Sequence, residues 1–250
     1  MSAAAPKTVI IVQARMTSTR LPGKVLREVN GKALLEYQIE RLRRAARVDQ
    51  IVVATTTNAS DAPIVALCER LAVPVWRGSE HDVLARYHGA AVAHAADVVV
   101  RVTSDCPVID PQVLDQTIGY YLDRRGQFDY VSNSLERSFP RGLDAEVFSF
   151  RALTEAFTEA VDEEEREHVT PFLYRRPQRY RLANVACRQD LSAHRWTVDT
   201  AEDFALVQSL IGALYPVLPR FGLWDMVAWL KAHPDISALN AHVEQKTLKS

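Results

Sequence analysis

The chain is poor in cysteine. Its three, Cys68, Cys106 and Cys187, are odd in number, far apart and in no metal-ligand spacing, which argues against a disulfide framework or a zinc site. It also lacks an excess of either charge, with 30 basic residues against 31 acidic. No overall field therefore draws it to nucleic acid or anionic lipid, and a polyanion must be met locally. No apolar run reaches membrane-spanning length, and Met1–Pro6 has no charged stretch followed by an apolar one. The expectation is a cytoplasmic protein with neither a membrane nor a nucleic-acid partner. Repeats of solenoid period and low-complexity tracts are missing too, and the run Glu163–Glu165 is too brief for a tail, reading as a solvated helix face.

What is present is an alternation of two periodicities. Thr8–Gln13 (TVIIVQ) is a short β-branched run, as expected of a central strand covered on both faces. Leu34, Leu35, Ile39 and Leu42 then recur at helical spacing, with Arg41, Arg43 and Arg44 near the C-terminal end where they suit the helix dipole. The unit repeats, with strands at Gln50–Thr55, Val73–Trp76 and Asp97–Thr103 and helices at Asp61–Leu71 and Asp82–His94. Asp110-Pro111 supplies an N-cap and a proline at the first position of a helix reaching Leu122. Such alternation predicts an α/β domain with a mostly parallel sheet. The rhythm breaks over residues 126–189, an excursion with strands at Tyr130–Ser132, Glu146–Phe150 and Tyr180–Val185. It resumes with a strand at Arg195–Val198, a helix from Ala201 to about Leu214, and a last helix whose Leu223, Trp224, Val227, Trp229 and Leu230 read as core packing. At 250 residues, one domain with an inserted segment is the simplest division.

Ligands of open parallel sheets sit beyond the carboxyl ends of the strands. The loop after the first strand, Ala14 to Lys24, holds three cations, three hydroxyls and a glycine. Arg15 and Arg20 offer planar forks for phosphate oxygens and Lys24 a point charge, Ser18 adds a hydroxyl, and Gly23 lets backbone N–H groups approach an anion. The loop is neither GxxxxGK[ST] nor GxGxxG, which disfavours those two nucleotide classes. Thr103-Ser104-Asp105 follows another buried strand, and Asp199 stands before a cap in which Thr200 and Asp203 have capping-box spacing. Asp105 read alone is as easily a turn residue. Together with Asp199 and the cationic loop it makes a coherent set, with two hard carboxylates suited to Mg²⁺.

These stretches carry a resemblance. VIIVQARMTSTRLPGKVL and NGKALLEYQIERL, then GSEHDVLARY, VRVTSDCPVIDP, PRGLDAEVFSF, EREHVTPFLYRRP and RWTVDTAEDF, in this order, resemble the sugar-acid cytidylyltransferases, above all the CMP-KDO synthetases and still more closely the spore-coat polysaccharide SpsF group. The resemblance implies a Rossmann-like nucleotide-diphospho-sugar transferase fold with helices on both sheet faces, an inserted dimerisation segment and a homodimer. It implies transfer of CMP from CTP to the hydroxyl of an acidic sugar, with Mg²⁺ and release of pyrophosphate, in surface polysaccharide or glycan biosynthesis. Position by position, Arg15, Arg20 and Lys24 match the triphosphate-binding cations and Asp105 and Asp199 the metal acids. Thr103 stands where that family has a Gln near the cytosine, and Cys106 replaces a Glu and reads as a small packed residue. Ala14, Ser18, Gly23 and Thr103 complete the expected nucleotide site, with Arg15, Lys24 and Asp105 as the catalytic group.

For the acidic sugar, the polar residues Asn133, Arg137, Arg141, Asp144, Glu146 and His168 of the excursion are the expected contacts, Arg141 serving as a carboxylate clamp or equally as a surface arginine. Arg166, His168, Tyr174, Arg175 and Arg176 around the apolar stretch Val169–Leu173 suit a subunit interface instead. Two other readings stay open from the residues alone. One is an enzyme using another nucleoside triphosphate or transferring the sugar itself, the lack of Asp-x-Asp after a strand arguing against sugar transfer. The other is a silent nucleotide-binding subunit, against which the retained acids and cations argue.

Overall fold

The β-branched run at the N-terminus becomes β1 (Thr8–Gln13), whose residues Val9–Val12 are completely buried. In this computed structural model, which describes residues 5–245, β1 is an interior strand of a seven-stranded sheet. The other strands are β2 (Glu28–Val29), β3 (Lys32–Ala33), β4 (Gln50–Thr56), β5 (Val75–Gly78), β6 (Val98–Thr103), β7 (Tyr130–Ser132), β8 (Glu146–Ser149) and β9 (Leu182–Asn184). The helices are α1 (Leu34–Leu42), α2 (Ala62–Arg70), α3 (Val83–Ala93), α4 (Pro111–Leu122), α5 (Phe150–Glu159), α6 (Glu163–His168), α7 (Pro171–Tyr174), α8 (Ala201–Leu214), α9 (Leu223–Ala232) and α10 (Pro234–Ser237). The sheet order is β5-β4-β1-β6-β8-β7-β9, and β2 and β3 form a separate hairpin.

Because side chains alternate along a strand, β1 feeds two cores. Ile10 and Val12 join Leu35 and Ile39 of α1, Ile64 of α2 and Ile118 of α4 on one face. Val9 and Ile11 join Leu84 and Tyr87 of α3 and Leu153 of α5 on the other. This is the α/β, Rossmann-like arrangement with helices on both faces.

Strands β5, β4, β1 and β6 run parallel, as the alternation requires, so the loops after β1, β4 and β6 leave from one edge of the sheet. The excursion does not form a separate module. Its strands extend the same sheet, β8 pairing antiparallel with both β6 and β7, and β9 pairing parallel with β7.

Three expectations need correction. Arg195–Val198 is no strand: it crosses between two loops, Trp196 N donating to Arg141 O (2.7 Å) and Val198 N to Asp105 O (2.8 Å), with a single bridge between Arg141 and Arg195. Val169, Phe172 and Leu173 are not an outward-facing interface, since each is buried in the chain's own second core. Trp224 is not core: it is 52% exposed, while Leu223, Met226 and Leu230 carry the packing of α9.

One carboxylate links the start of α4 to the start of α9. Asp110 Oδ1 accepts from Gln112 N (2.7 Å) and Val113 N (3.3 Å) and so caps α4, while its Oδ2 accepts from Leu223 N at the start of α9. Gly222 is required beside it, because a Cβ there would stand 2.8 Å from Asp110 Oδ2.

Candidate active site

The loop after β1 turns back through Gly23, whose φ of +66° suits glycine and whose N–H donates to Met16 O (2.9 Å). A single 3-10 turn, Lys24–Leu26, follows. It aims the Lys24 ammonium across the sheet edge, where Nζ donates to Asp199 Oδ1 (2.8 Å), to Val198 O (2.7 Å) and to Asp105 Oδ2 (3.4 Å). Arg20 Nη2 lies 2.9 Å from Asp199 Oδ2. The two acids, one after β6 and one before α8, thus turn toward a single cation.

Their proximity is enforced by backbone. The oxygen of Asp105 accepts from Val198 N and from Thr197 Oγ1 (3.2 Å), which stitches the loop after β6 to the extended stretch before α8. Thr103 and Cys106 bracket Asp105 Oδ1. The Thr103 hydroxyl donates to it, and Cys106 Sγ lies 3.5 Å away. Burial alone would raise the Asp105 carboxyl, but the Lys24 ammonium and the Thr103 hydroxyl outweigh it and hold its pKa below the ordinary value. Burial likewise acts to lower Lys24, and Asp105 and Asp199 overcome it, so its pKa is raised. Burial pushes the Cys106 thiol well up, as befits a packed residue.

Asp199 rests on residues that sequence reasoning read only as a helix start. Asp203 is fully buried, and its carboxylate accepts from Arg195 Nε (2.8 Å), from Asp199 N (3.0 Å) and from Asn240 Nδ2 (2.7 Å). Arg195 Nη2 in turn reaches Asp199 Oδ2 (2.9 Å). The expected capping box between Thr200 and Asp203 is present, and Asp203 has this second task. Pattern alone shows only the first, because the partners Arg195 and Asn240 are brought together by tertiary structure.

Arg15 points elsewhere: its Nη1 faces Glu80 Oε1 at 3.9 Å, beside Thr17 and Asn58, which also donate to Glu80. Ala14 is buried, its N–H donating to Ala54 O (3.1 Å), and Ser18 is half-buried in the same loop.

The residues expected to meet the sugar separate into groups. Arg137 and Asp144 form a two-pronged pair (2.6 and 3.2 Å), and Asp144 lies close enough to Cys106 to add to the rise in its pKa. Arg141 is half-buried and lines a cavity of about 140 Å³ with His194 and Asn240. Asn133 is corrected. Its side chain is completely buried, Nδ2 donating to Leu143 O (2.8 Å) and Oδ1 accepting from Ala145 N (2.9 Å), so it holds the loop and has nothing left for a ligand. Glu146 is likewise committed, paired with Arg101 and accepting from Tyr130 Oη (2.5 Å) and Thr170 Oγ1 (2.6 Å). His168 stands beside a strained γ-turn: Val169 has φ +72° and ψ −58°, and Thr170 N donates to His168 O (2.9 Å). Burial lowers the His168 pKa.

For a divalent ion, the donor chemistry fits. Two carboxylate oxygens already approach one cationic centre at 2.8 and 3.4 Å, and hard oxygen ligands in that number suit Mg²⁺ sharing substrate phosphates. Among the described residues no cluster of three or more His, Cys, Asp or Glu side chains could hold a metal. A wider cavity of about 790 Å³, lined by Asp110, Arg220 and Trp224 among others, shares no residue with this network.

The cytidylyltransferase family profile matches residues 9–211, which covers β1, its loop, both acids and most of α8. The chain belongs to the cytidylyltransferase family. It is 34% identical over 235 residues, 90% of this chain and 94% of the other, to the spore coat polysaccharide biosynthesis protein SpsF of Bacillus subtilis. It is 35% identical over 125 residues, 48% of each chain, to a 3-deoxy-manno-octulosonate cytidylyltransferase of Nitratidesulfovibrio vulgaris. A solved cytidylyltransferase from Leptospira borgpetersenii superposes with a TM-score of 0.89 at 31% identity, covering 98% of this chain and 100% of that one. Among the described residues of this cytidylyltransferase no helix is long and apolar enough to cross a membrane.

Proposed function

We propose that this cytidylyltransferase transfers CMP from CTP to a hydroxyl of an acidic sugar, releasing pyrophosphate, in the synthesis of a surface polysaccharide or glycan. The observation that carries the reading is the convergence of Lys24 and Arg20 on Asp105 and Asp199 at the strand-end edge of the sheet. The sugar hydroxyl gives up its proton to water as its oxygen forms a bond to the α-phosphorus, the bond from that phosphorus to the bridging oxygen breaks, and pyrophosphate leaves with the electron pair. Lys24 and Arg20 bind and neutralise the triphosphate, exchanging their carboxylate partners for phosphate oxygens as it arrives, and Arg15 joins them by turning in from Glu80. Asp105 and Asp199, freed of those cations, would hold Mg²⁺, whose contribution when bound is charge neutralisation and a lowered pKa of the attacking hydroxyl. The Arg137–Asp144 pair, Arg141 and His168 lie on the excursion side and orient the sugar, Arg141 or Arg137 taking its carboxylate.

The acceptor class rests on the names of the relatives and on those arginines. The reading also includes a homodimer in the cytoplasm. A pyrophosphate-release screen tests it, pairing the four nucleoside triphosphates with a panel of sugar acids, with and without Mg²⁺. Release that needs CTP, a sugar acid and Mg²⁺ together is expected. Equal release with neutral sugars, or none with CTP, overturns the substrate assignment.

A further inference from the structure

The cavity of about 140 Å³ beside Arg141 lies between the stretch before α8 and the C-terminal segment, which contributes Ser237, Asn240 and Gln245 to its lining. Two arginines, Arg141 and Arg195, line it as well, and among the described residues no Asp or Glu does. Arg195 is satisfied, since Asp203, Asp199 and Gln245 all accept from it. Arg141 differs: it is half-buried, and its guanidinium makes neither a hydrogen bond nor an ion pair among the described residues. Asp144, the acid close enough to act on it, is taken by both prongs of Arg137 (2.6 and 3.2 Å), while Arg137 and Arg195 add repulsion. Other donors along the lining are idle too. Trp196 is completely buried with no partner for its Nε1, and among the described residues the hydroxyls of Ser192 and Ser237 have none.

A half-buried cation among like charges and a buried N–H without an acceptor both weigh against folding until something supplies what they lack. Water can satisfy the hydroxyls and the indole, but it carries no counter-charge. Donors and positive charge in excess at one place are the complement of an oxyanion, and a planar guanidinium matches two of its oxygens at once. The volume sets the size of the guest. Pockets for drug-sized ligands run to about 300–1,000 Å³, so this one takes a single phosphate-sized group.

We propose that the cavity is a small-oxyanion site, which takes a free phosphate-type ion between Arg141 and the C-terminal segment. It is separate from the cations assigned to the triphosphate, since neither Lys24 nor Arg20 lines it. With Arg141 so engaged, Arg137 is the arginine left for the acceptor's carboxylate. Arg195 lines the cavity while its Nη2 holds Asp199 Oδ2 (2.9 Å), so a single side chain separates the bound ion from an acid of the candidate active site.

The test is calorimetric titration of inorganic phosphate, without nucleotide or metal, into the wild type, Lys24→Met, Arg141→Met and Ser237→Asp. The wild type and Lys24→Met are expected to bind phosphate with a Kd of about 1 mM or tighter, and the two cavity variants about tenfold or more weakly. Ser237→Asp keeps Arg141 and gives it a carboxylate from within the chain, so it carries the test should Arg141→Met not fold. Wild-type affinity in either folded cavity variant, loss of binding in Lys24→Met, or no binding by the wild type overturns the inference. Acetate that binds as tightly as phosphate and competes with it assigns the cavity to a carboxylate and overturns it as well. None of these outcomes bears on the cytidylyltransferase reading, which the pyrophosphate-release screen decides.

Discussion

Lys24 sits 81 positions from Asp105 and 175 from Asp199, yet one ammonium touches both. Replacing it with Met should leave the fold intact, since Arg20 and Arg195 still face Asp199. Pyrophosphate release should fall about 10²- to 10³-fold, read as kcat/KM with CTP and the best acceptor of the screen. The depressed carboxyl of Asp105 gives a second prediction. A carboxylate whose folded pKa lies below its unfolded value of about 3.9 stabilises the fold above that value, and the contribution fades as pH falls through the folded pKa. The thermal midpoint should therefore drop from pH 5 toward pH 3, and Asp105→Asn should flatten that slope. That Lys24, Arg20 and Asp105 gather at one edge was legible in the sequence from their positions after β1 and β6 and from their chemistry, whereas Asp199 was placed beside them from a strand at Arg195–Val198 that does not form. Asn133 and Glu146 misled because a polar residue near a strand end looks the same whether it meets a ligand or a neighbouring backbone.

At the scale of elements, the site depends on a stretch that is not itself a regular element. Residues 194–198 are held between the loop of Arg141 and the loop of Asp105. β-branched and aromatic residues there invite a strand reading, and only the tertiary structure shows that no neighbouring strand runs alongside. Two substitutions probe this seam. Gly142 has φ +103°, and a Cβ would stand 2.6 Å from the carbonyl carbon of Trp196, so Gly142→Ala should cost about 1–3 kcal/mol or more in urea unfolding. Asp203→Ala removes the fully buried one of the two carboxylates paired with Arg195, leaving Asp199, and should cost about 3 kcal/mol by the same measure. It should also weaken activity, because Asp199 loses its backbone anchor.

For the whole molecule, the parallel half was readable from strand and helix alternation, and α4 and α8 begin and end where their caps and periodicity place them. The excursion was harder. Short strands such as β7 and β9, three residues each, carry too little pattern to reveal that they extend the main sheet. The stretch Val169–Leu173 looked like an interface for the same reason, since an apolar run does not say whether its cover comes from its own chain or from another. Light scattering after size exclusion checks the homodimer, with twice the chain mass of 28.1 kDa expected across dilution.

Asp110 spends one oxygen on α4 and the other on α9. Leu223, Met226 and Leu230 pack with Trp196 and Val207, and Arg41 Nη2 donates to Phe221 O (2.9 Å), so this carboxylate fixes where the two helices start while the core keeps them in place. Hydrogen exchange should show the first amides of α4 and of α9 losing protection together in an Asp110→Ala protein, while β1 stays protected.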